Sequence, residues 1–436
     1  MSSTLSTLKR LLRRLLPRPV YHRLVSAYHY CLAAAGARYY RYPARELFVI
    51  GVTGTKGKST VTELIGRILR ADGNRVATLS TIQFSIGDET ERNLYKMTLP
   101  GRSFIQRFLR RAVNAGCTHA VVELTSEGAV QHRHRFVDLD AFVFTNLTPE
   151  HIESHGSFAN YKQAKLTIRD ELTRSRKRPR YLVVNADDQH GADFLDAPAE
   201  HVLPYSLADL TLHSLQKDSV SLVFPETTLR VPLVGKFNVY NILAAVTLCR
   251  ALGVSFETID RALHDLPGIP GRAERIESPA HAAKPVTVVV DYAHTPDSLE
   301  QLYAAFPDPE KVCVLGNTGG GRDTWKRPEM ATIAEQHCAR IILTNEDPYD
   351  EDPRKIVADM ERGISDPTKV EVIMDRRAAI ARAIEIAPES GLVLISGKGT
   401  DPYIMGPQGT KEEWSDAAVV REELARLPQE QNPGNQ

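Results

Sequence analysis

The chain holds 436 residues, 42% hydrophobic and 25% charged, the make-up of an ordinary globular protein with room for two or three full cores. Its 54 Lys and Arg balance 54 Asp and Glu, so nothing global draws it to nucleic acid. No apolar run is long enough to span a membrane. Cys31, Cys117, Cys249, Cys313 and Cys338 stand scattered without a C-x-x-C pair, which predicts free thiols in a reducing cytoplasm.

Charge is uneven along the chain. Residues 1–45 carry nine Lys or Arg and no acid, which leaves the remainder at about −9. Within LKRLLRRLLPRPVYHRLVSAYHYCLAAAG, leucines at helical spacing interleave with Arg10, Arg13 and Arg14, and Pro17 and Pro19 break the pattern. Two readings of this basic segment, residues 1–46, stand side by side. It lies on an anionic membrane surface, or it packs on the body with its arginines in water. An arginine-rich start also resembles an organelle transit peptide. The missing cleavage signal and six tyrosines between Tyr21 and Tyr42 count against that.

From Leu47 the pattern turns to alternating strand and helix. The run Leu47-Phe-Val-Ile50 ends in a glycine-rich turn, and Gly57-Lys58-Ser59-Thr60 opens a helix. A loop in this strand–helix setting, Gly54, Thr55, Lys56, Gly57, Lys58, Ser59 and Thr60, presents backbone N–H groups and a helix N-terminus to phosphates. Lys58 would reach the outer phosphates of ATP, and the Ser59 or Thr60 hydroxyl would hold Mg2+. The strict motif wants glycine where Val52 stands. Further on, VTELIGRILRADG reads as helix, RVATLSTIQFSI as one strand, and SFIQRFLRRAVNAG as amphipathic helix. THAVVELTS and DAFVFTNLT are strands, then YKQAKLTIRDELTRS is helix, RYLVVNADD strand and KFNVYNILAAVTLCRALG helix. The alternation predicts a doubly wound, mostly parallel α/β domain over 47–267. A joint at Leu266-Pro-Gly-Ile-Pro-Gly271 then leads into a smaller Rossmann-like α/β domain over 268–425, and 426–436 reads as a disordered tail.

Chemistry-bearing residues gather at strand ends. Glu123 closes a strand in VVELTSEG, where it can reach a Mg2+ held by Ser59 or Thr60. His151 and His155 have the spacing of a zinc pair, but Pro149, Gly156 and the lack of a third soft ligand argue against zinc. A single histidine, His151, serving a second Mg2+ suits phosphoryl transfer better. Lys165, about one turn into the next helix, reads by itself as a solvated cation.

The motif order is what carries a resemblance: GVTGTKGKST, E-x-[ST]-S-x-G-x-x-Q-x-R, and FTNL-x-x-x-H-x-x-x-HGS-x-x-x-Y-x-x-AK. GKFNVYNILAA, GIPGRAERIE, VVVDYAHTPDSLEQL, GGGRDTWKRPEM, EDPYDEDP and SGKGTD follow collinearly over roughly 350 residues. The chain resembles the Mur ligases. The resemblance implies an ATP- and Mg2+-dependent ligase that adds an amino acid to a UDP-N-acetylmuramoyl-peptide through an acyl phosphate. It makes Lys58, Lys165, His151 and Arg272 catalytic and Ser59, Glu123, His151 and Lys165 metal ligands, with Lys165 carbamylated. Thr98, Thr125, Ser126, Gln131 and Arg133 would hold the muramoyl peptide. Asn238 and Asn241 would contact adenine, and Arg272, Asp291 and His294 would close over the nucleotide. Arg322, Glu346, Asp347, Tyr349, Gly397 and Asp401 would line the amino-acid site, with Arg327 beside Arg322 for the α-carboxylate. A monomer is expected, and no nucleic-acid partner.

Some positions depart from the family pattern. Its uridine-binding N-terminal domain is usually about twice as long as the 46 residues here. Glu150-His151 stands for Asp-His, Glu346-Asp347-Pro348-Tyr349 for Asp-Asn-Pro-Arg, and Asp401 for a glutamate. Two rivals therefore stay open: a folylpolyglutamate-synthase-like ligase with another acceptor, and a phosphate-loop ATPase of regulatory or scaffolding role at the membrane.

Overall fold

The computed structural model describes residues 16–101, 103–150, 152–321 and 323–429. Its described residues fall into two compact units, one from Met1–Leu207 with Asn241–Ile259, the other from Ala208–Tyr240 with Asp260–Gln436. The division differs from a single cut near Leu266: residues 208–240 group with the second unit, and helix Lys236–Ala251 runs across the boundary.

The first unit holds β1 (Phe48–Thr53), β2 (Val76–Leu79), β3 (Gln83–Ile86), β4 (Glu89–Arg92), β5 (His119–Glu123), β6 (Ala141–Phe144), β7 (Tyr181–Asn185) and β8 (His201–Tyr205). They form one sheet in the order β4-β3-β2-β5-β1-β6-β7-β8, parallel except that β3 pairs antiparallel with both β2 and β4. β1 is buried from Val49 to Thr53 because helices cover both faces, which is why its sequence is an apolar run rather than an alternation. The stretch read as one strand, 75–86, is a hairpin. Ser80 turns it, its hydroxyl accepting from the Ile82 and Gln83 amides at 3.2 Å each.

Helix α1 (Arg18–Tyr39) starts directly after Pro17, with Pro19 in its first turn, where no backbone donor is needed. Its Ala33 and Ala37 are buried, Gly36 lies so close to Ser103 that a Cβ there would sit 2.8 Å from Oγ, and Ser26 bonds His132 at 2.7 Å. One face of the helix is therefore packed on the body. The arginines Arg10, Arg13 and Arg14 lie outside the described residues. Helices α2 (Lys58–Ala71), α3 (Phe104–Asn114), α4 (Ser126–Val130) and α5 (Phe158–Arg174) complete the parts that matter for the site.

The second unit opens with a three-stranded antiparallel sheet, β9 (Leu212–Leu215), β10 (Val220–Val223) and β11 (Thr228–Val231), where alternation of strand and helix was expected. A six-stranded sheet follows: β12 (Glu274–Glu277), β13 (Val286–Val290), β14 (Val312–Leu315), β15 (Arg340–Leu343), β16 (Val370–Val372) and β17 (Gly391–Ile395), in the order β12-β13-β17-β14-β15-β16. Only β12 runs antiparallel within it. Alternate residues serve opposite cores: Val289, Leu315, Leu343 and Leu394 on one side, Val288, Val314, Ile342 and Val393 on the other.

Two expectations need correcting here. Cys313 and Cys338 are joined by a disulfide, their Cα atoms 6.2 Å apart, while Cys31, Cys117 and Cys249 are free. The period-2 alternation of β14 turns Cys313 toward the buried end of the helix Lys326–His337, a pairing invisible at a separation of 25 residues. The supposed tail is ordered at its start: Ala283 N–H donates to Pro428 O at 2.8 Å, and Gln429 bridges Ala282. The rest, 430–436, lies outside the described residues.

Candidate active site

The phosphate loop leaves β1 between β5 and β6, at the C-terminal edge of the parallel strands. Two glycines set its path. Gly54 has φ +153° with Thr145 Oγ1 1.9 Å from where a Cβ would stand, and Gly57 has φ +80° with Asn241 Oδ1 at 2.1 Å. The FTNL stretch after β6 holds the loop from below. Thr55 N–H donates to Asn146 O and Lys56 N–H to Asn146 Oδ1, both at 2.8 Å, while Thr145 Oγ1 donates to Lys56 O at 2.6 Å. Lys58 Nζ rests on Thr55 O at 2.8 Å, and Thr60 is buried in the first turn of α2.

Glu123 is the hub beside this loop. Ser59 Oγ donates to its Oε2 at 2.9 Å, Thr81 N–H to the same oxygen at 2.8 Å, and Thr81 Oγ1 to Oε1 at 3.0 Å. Thr81 Oγ1 also meets Thr98 Oγ1 at 2.6 Å, so a continuous chain of oxygens runs from the phosphate loop to Thr98. Ser59 and Glu123 are side-by-side hard oxygen donors of the kind Mg2+ prefers. Among the described residues there is no group of three or more His, Cys, Asp or Glu that could hold a metal, and His151 lies outside them.

Lys165 is not a solvated cation. It sits two turns into α5, fully buried, with Nζ donating to Gly54 O at 2.5 Å and lying 4.7 Å from the Tyr161 ring centre. Burial holds its ammonium well below the usual lysine range and the neighbouring Lys58 adds to this, against the pull of Glu150 and Glu123. An amine so placed is readily neutral and nucleophilic. Tyr161, whose hydroxyl meets Thr55 Oγ1 at 3.0 Å, and Thr81 were not singled out from the sequence. Tyr161 stood within the quoted motif, whereas nothing local marked Thr81, whose role exists only because the hairpin turn abuts β5. Glu150 lies 3.7 Å from Lys56.

Beyond Glu123, Thr125 caps α4 by accepting from Gly128 N–H at 3.2 Å, and buried Ser126 bonds His155 Nε2 at 3.1 Å. Arg133 donates to Gln131 Oε1 at 2.7 Å and to Leu99 O, next to Thr98. Ser59, Glu123, Lys58, Lys165, Thr98, Ser126 and Arg133 thus lie along one edge of one unit. Asn241 belongs to it as well, through its approach to Gly57.

The second unit gathers its own residues at strand ends. Asp291, after β13, accepts from the Ala273 amide at 2.7 Å and the Ala293 amide at 2.6 Å, which fixes the turn carrying Arg272. Arg272 lies 4.6 Å from the Tyr292 ring centre, and His294 Nδ1 pairs with Tyr292 O at 2.7 Å. Asn238 donates to Val234 O at 2.8 Å. In the acidic loop, Glu346 and Asp347 are buried. Lys398 Nζ binds Asp347 at 2.9 Å and stands 3.6 Å from Asp401. Glu346 Oε1 accepts from Thr318, while Oε2 has no hydrogen-bond partner among the described residues and points at Gly397, where a Cβ would be 2.1 Å away. Tyr349 adopts φ +52° and donates its N–H to Met405 O at 2.9 Å. Arg327, expected beside the α-carboxylate, is fully buried, its terminal nitrogens held by Glu351 at 2.7 and 2.8 Å and by Asp359 at 2.8 Å, so burial and these two carboxylates set it apart from an incoming substrate. Arg322 lies outside the described residues.

A phosphate loop beside a carboxylate and a buried lysine, on a sheet whose chain continues into a Rossmann-like unit, defines a nucleotide-triphosphate-using enzyme. Residues 52–249 match the Mur ligase middle domain, and residues 271–399 match the Mur ligase glutamate ligase domain. A UDP-N-acetylmuramoyl-L-alanyl-D-glutamate–2,6-diaminopimelate ligase of Halalkalibacterium halodurans is 35% identical, the match covering 88% of this chain and 82% of that protein. A UDP-N-acetylmuramyl-tripeptide synthetase of Roseiflexus sp. is 36% identical over 91% and 82%. A solved structure of a UDP-N-acetylmuramoyl-L-alanyl-D-glutamate–2,6-diaminopimelate ligase superposes with a TM-score of 0.59 at 30% identity, covering 87% of this chain and 78% of that one. The chain belongs to the Mur ligase family, ATP-dependent enzymes that form carbon–nitrogen bonds.

Proposed function

We propose that this enzyme extends a UDP-N-acetylmuramoyl peptide in peptidoglycan precursor synthesis by one amino acid. The observation that carries the reading is the run of hydroxyl and carboxylate oxygens Ser59–Glu123–Thr81–Thr98, which ties the ATP loop to the acceptor side. Thr98, Thr125, Ser126, Gln131 and Arg133 hold the acceptor so that its carboxylate faces the γ-phosphate. Attack forms an acyl phosphate and releases ADP; the incoming amine then displaces phosphate and gives the amide. Lys58 neutralises charge on the transferring group, and Arg272, Asp291 and His294 contact the nucleotide. Asn238 and Asn241 contact adenine.

Mg2+ would be held by Ser59, Glu123, His151 and carbamylated Lys165, and when bound it supplies charge neutralisation at the phosphates. The fit rests on the adjacent Ser59 and Glu123 oxygens and on the depressed basicity of Lys165. A neutral amine adds to CO2 and loses one proton to become an anionic oxygen ligand, which a permanently charged ammonium could not do. The enzyme acts as a monomer in the cytoplasm, with peripheral membrane contact through its N-terminal segment.

The amino acid added is lysine, ornithine or a neutral residue rather than diaminopimelate. Tyr349 stands where a carboxylate-clamping arginine would, and Glu346 offers a buried carboxylate oxygen without a hydrogen-bond partner among the described residues. The test is ADP release measured with and without UDP-N-acetylmuramoyl-L-alanyl-D-glutamate and a panel of amino acids, with product mass read out. Turnover that needs both substrates supports the reading. Turnover indifferent to the muramoyl substrate refutes it.

A further inference from the structure

The face of α1 turned away from the protein is apolar. Val20, Leu24 and Tyr28, four residues apart, are 43%, 54% and 42% exposed, and Ala27, Cys31 and Ala35 complete the same stripe. The opposite face, His29, Ala33, Gly36 and Ala37, is buried. A helix that only packs on a body turns polar residues outward, and this one does the reverse over about three turns. Other exposed side chains of the helix include Arg23, Arg38, Tyr30 and Tyr39, and the helix contains no acid. Residues 1–45 as a whole hold nine Lys or Arg and no acid, a block of positive charge that runs directly into the apolar stripe.

We propose that this outer face of α1 is a docking surface for an anionic lipid bilayer. Val20 and Leu24 enter the headgroup–acyl boundary, Tyr28 sits at the interface, and Arg23 and Arg38 bind lipid phosphates. The charge selects the occupant: a second copy of the same cationic helix would be repelled, whereas an acidic lipid surface is drawn to it. Exposed apolar area of this kind binds reversibly and weakly, so the contact concentrates the enzyme at the surface without anchoring it. Val20, Leu24 and Tyr28 are not among the residues assigned to the active site, so the contact is separable from turnover.

The structure also supplies a probe. Cys31 is exposed on the stripe, while Cys117 and Cys249 are buried and the other two cysteines are paired, so an environment-sensitive dye attaches at Cys31 on the folded enzyme. With vesicles of phosphatidylcholine and phosphatidylglycerol, the labelled enzyme should co-sediment and its emission shift to the blue, and both effects should fade as salt rises. Pure phosphatidylcholine should do neither. The triple variant Val20→Ser, Leu24→Ser, Tyr28→Ser should lose binding by about tenfold or more while ADP release in solution stays unchanged. Equal binding by the triple variant, or binding indifferent to lipid charge, overturns the proposal. A concentration-dependent dimer that shields the dye and is abolished by the triple variant also overturns it, and makes a second copy the occupant.

Discussion

Replacing Lys165 with methionine should abolish turnover and raise stability at neutral pH. The side chain is 1% exposed and makes its hydrogen bond to Gly54 O. Exchanging a buried ionisable group, whose charged form burial disfavours, for an apolar one of similar volume is worth about 1–4 kcal/mol. Leaving the Gly54 carbonyl without its donor costs back about 1–3 kcal/mol. The net is a gain of ~1 kcal/mol, or about 2–4 °C in midpoint for a unit of this size. The pH dependence has a definite sign. The folded-state pKa of Lys165 is depressed while the unfolded chain keeps the ordinary value of 10.5, so unfolding takes up a proton in the window below 10.5. Wild-type stability therefore rises with pH through that window, and the advantage of Lys165→Met shrinks toward its upper end. Urea unfolding of both proteins in CO2-free buffer at about pH 7 and about pH 9.5 measures this. Added bicarbonate should alter only the wild type. The companion variant Lys165→Ala should regain part of its lost activity with formate or acetate, which stand in for the carbamate oxygens. Full activity in Lys165→Ala, or a methionine variant less stable than wild type by more than about 2 kcal/mol at neutral pH, would refute this account of the site.

Two further outcomes follow from the loop geometries. Gly57→Ala places a Cβ against Asn241 Oδ1 at φ +80° and should raise the KM for ATP by about tenfold or more, whereas Gly73→Ala, at φ +87° with nothing within 4 Å, carries only about 1–2 kcal/mol of backbone strain and should keep its kinetics. Equal ATP affinity in the two variants would remove the argument from close approach. At the amino-acid site, kcat/KM for lysine should exceed that for diaminopimelate by ~100-fold, and Glu346→Gln should narrow that ratio; a tenfold preference for diaminopimelate would overturn the reading of Glu346 and Tyr349.

Local chemistry wrote much of this protein into its sequence. The phosphate loop needs glycine where φ is positive and a helix start directly after it, so Gly54 and Gly57–Thr60 announce themselves. Buried parallel strands must be apolar on both faces, so β1, β5, β6 and β13 read as continuous runs. What depends on contacts distant along the chain did not appear there. The Ser80 turn had no glycine or proline to mark it, and it alone brings Thr81 to Glu123. Lys165 resembled any helical lysine until the packing of α5 buried it under Gly54 and beside Lys58. Arg327 looked available until Glu351 and Asp359 closed on it. Cys313 and Cys338 became partners because strand alternation and a helix end point them at each other. A sequence fixes which backbone conformations and which surfaces are favoured locally. Whether a cation is solvated, neutralised or tied to a carboxylate depends on the dielectric and the charges around it, and only the assembled tertiary structure sets those.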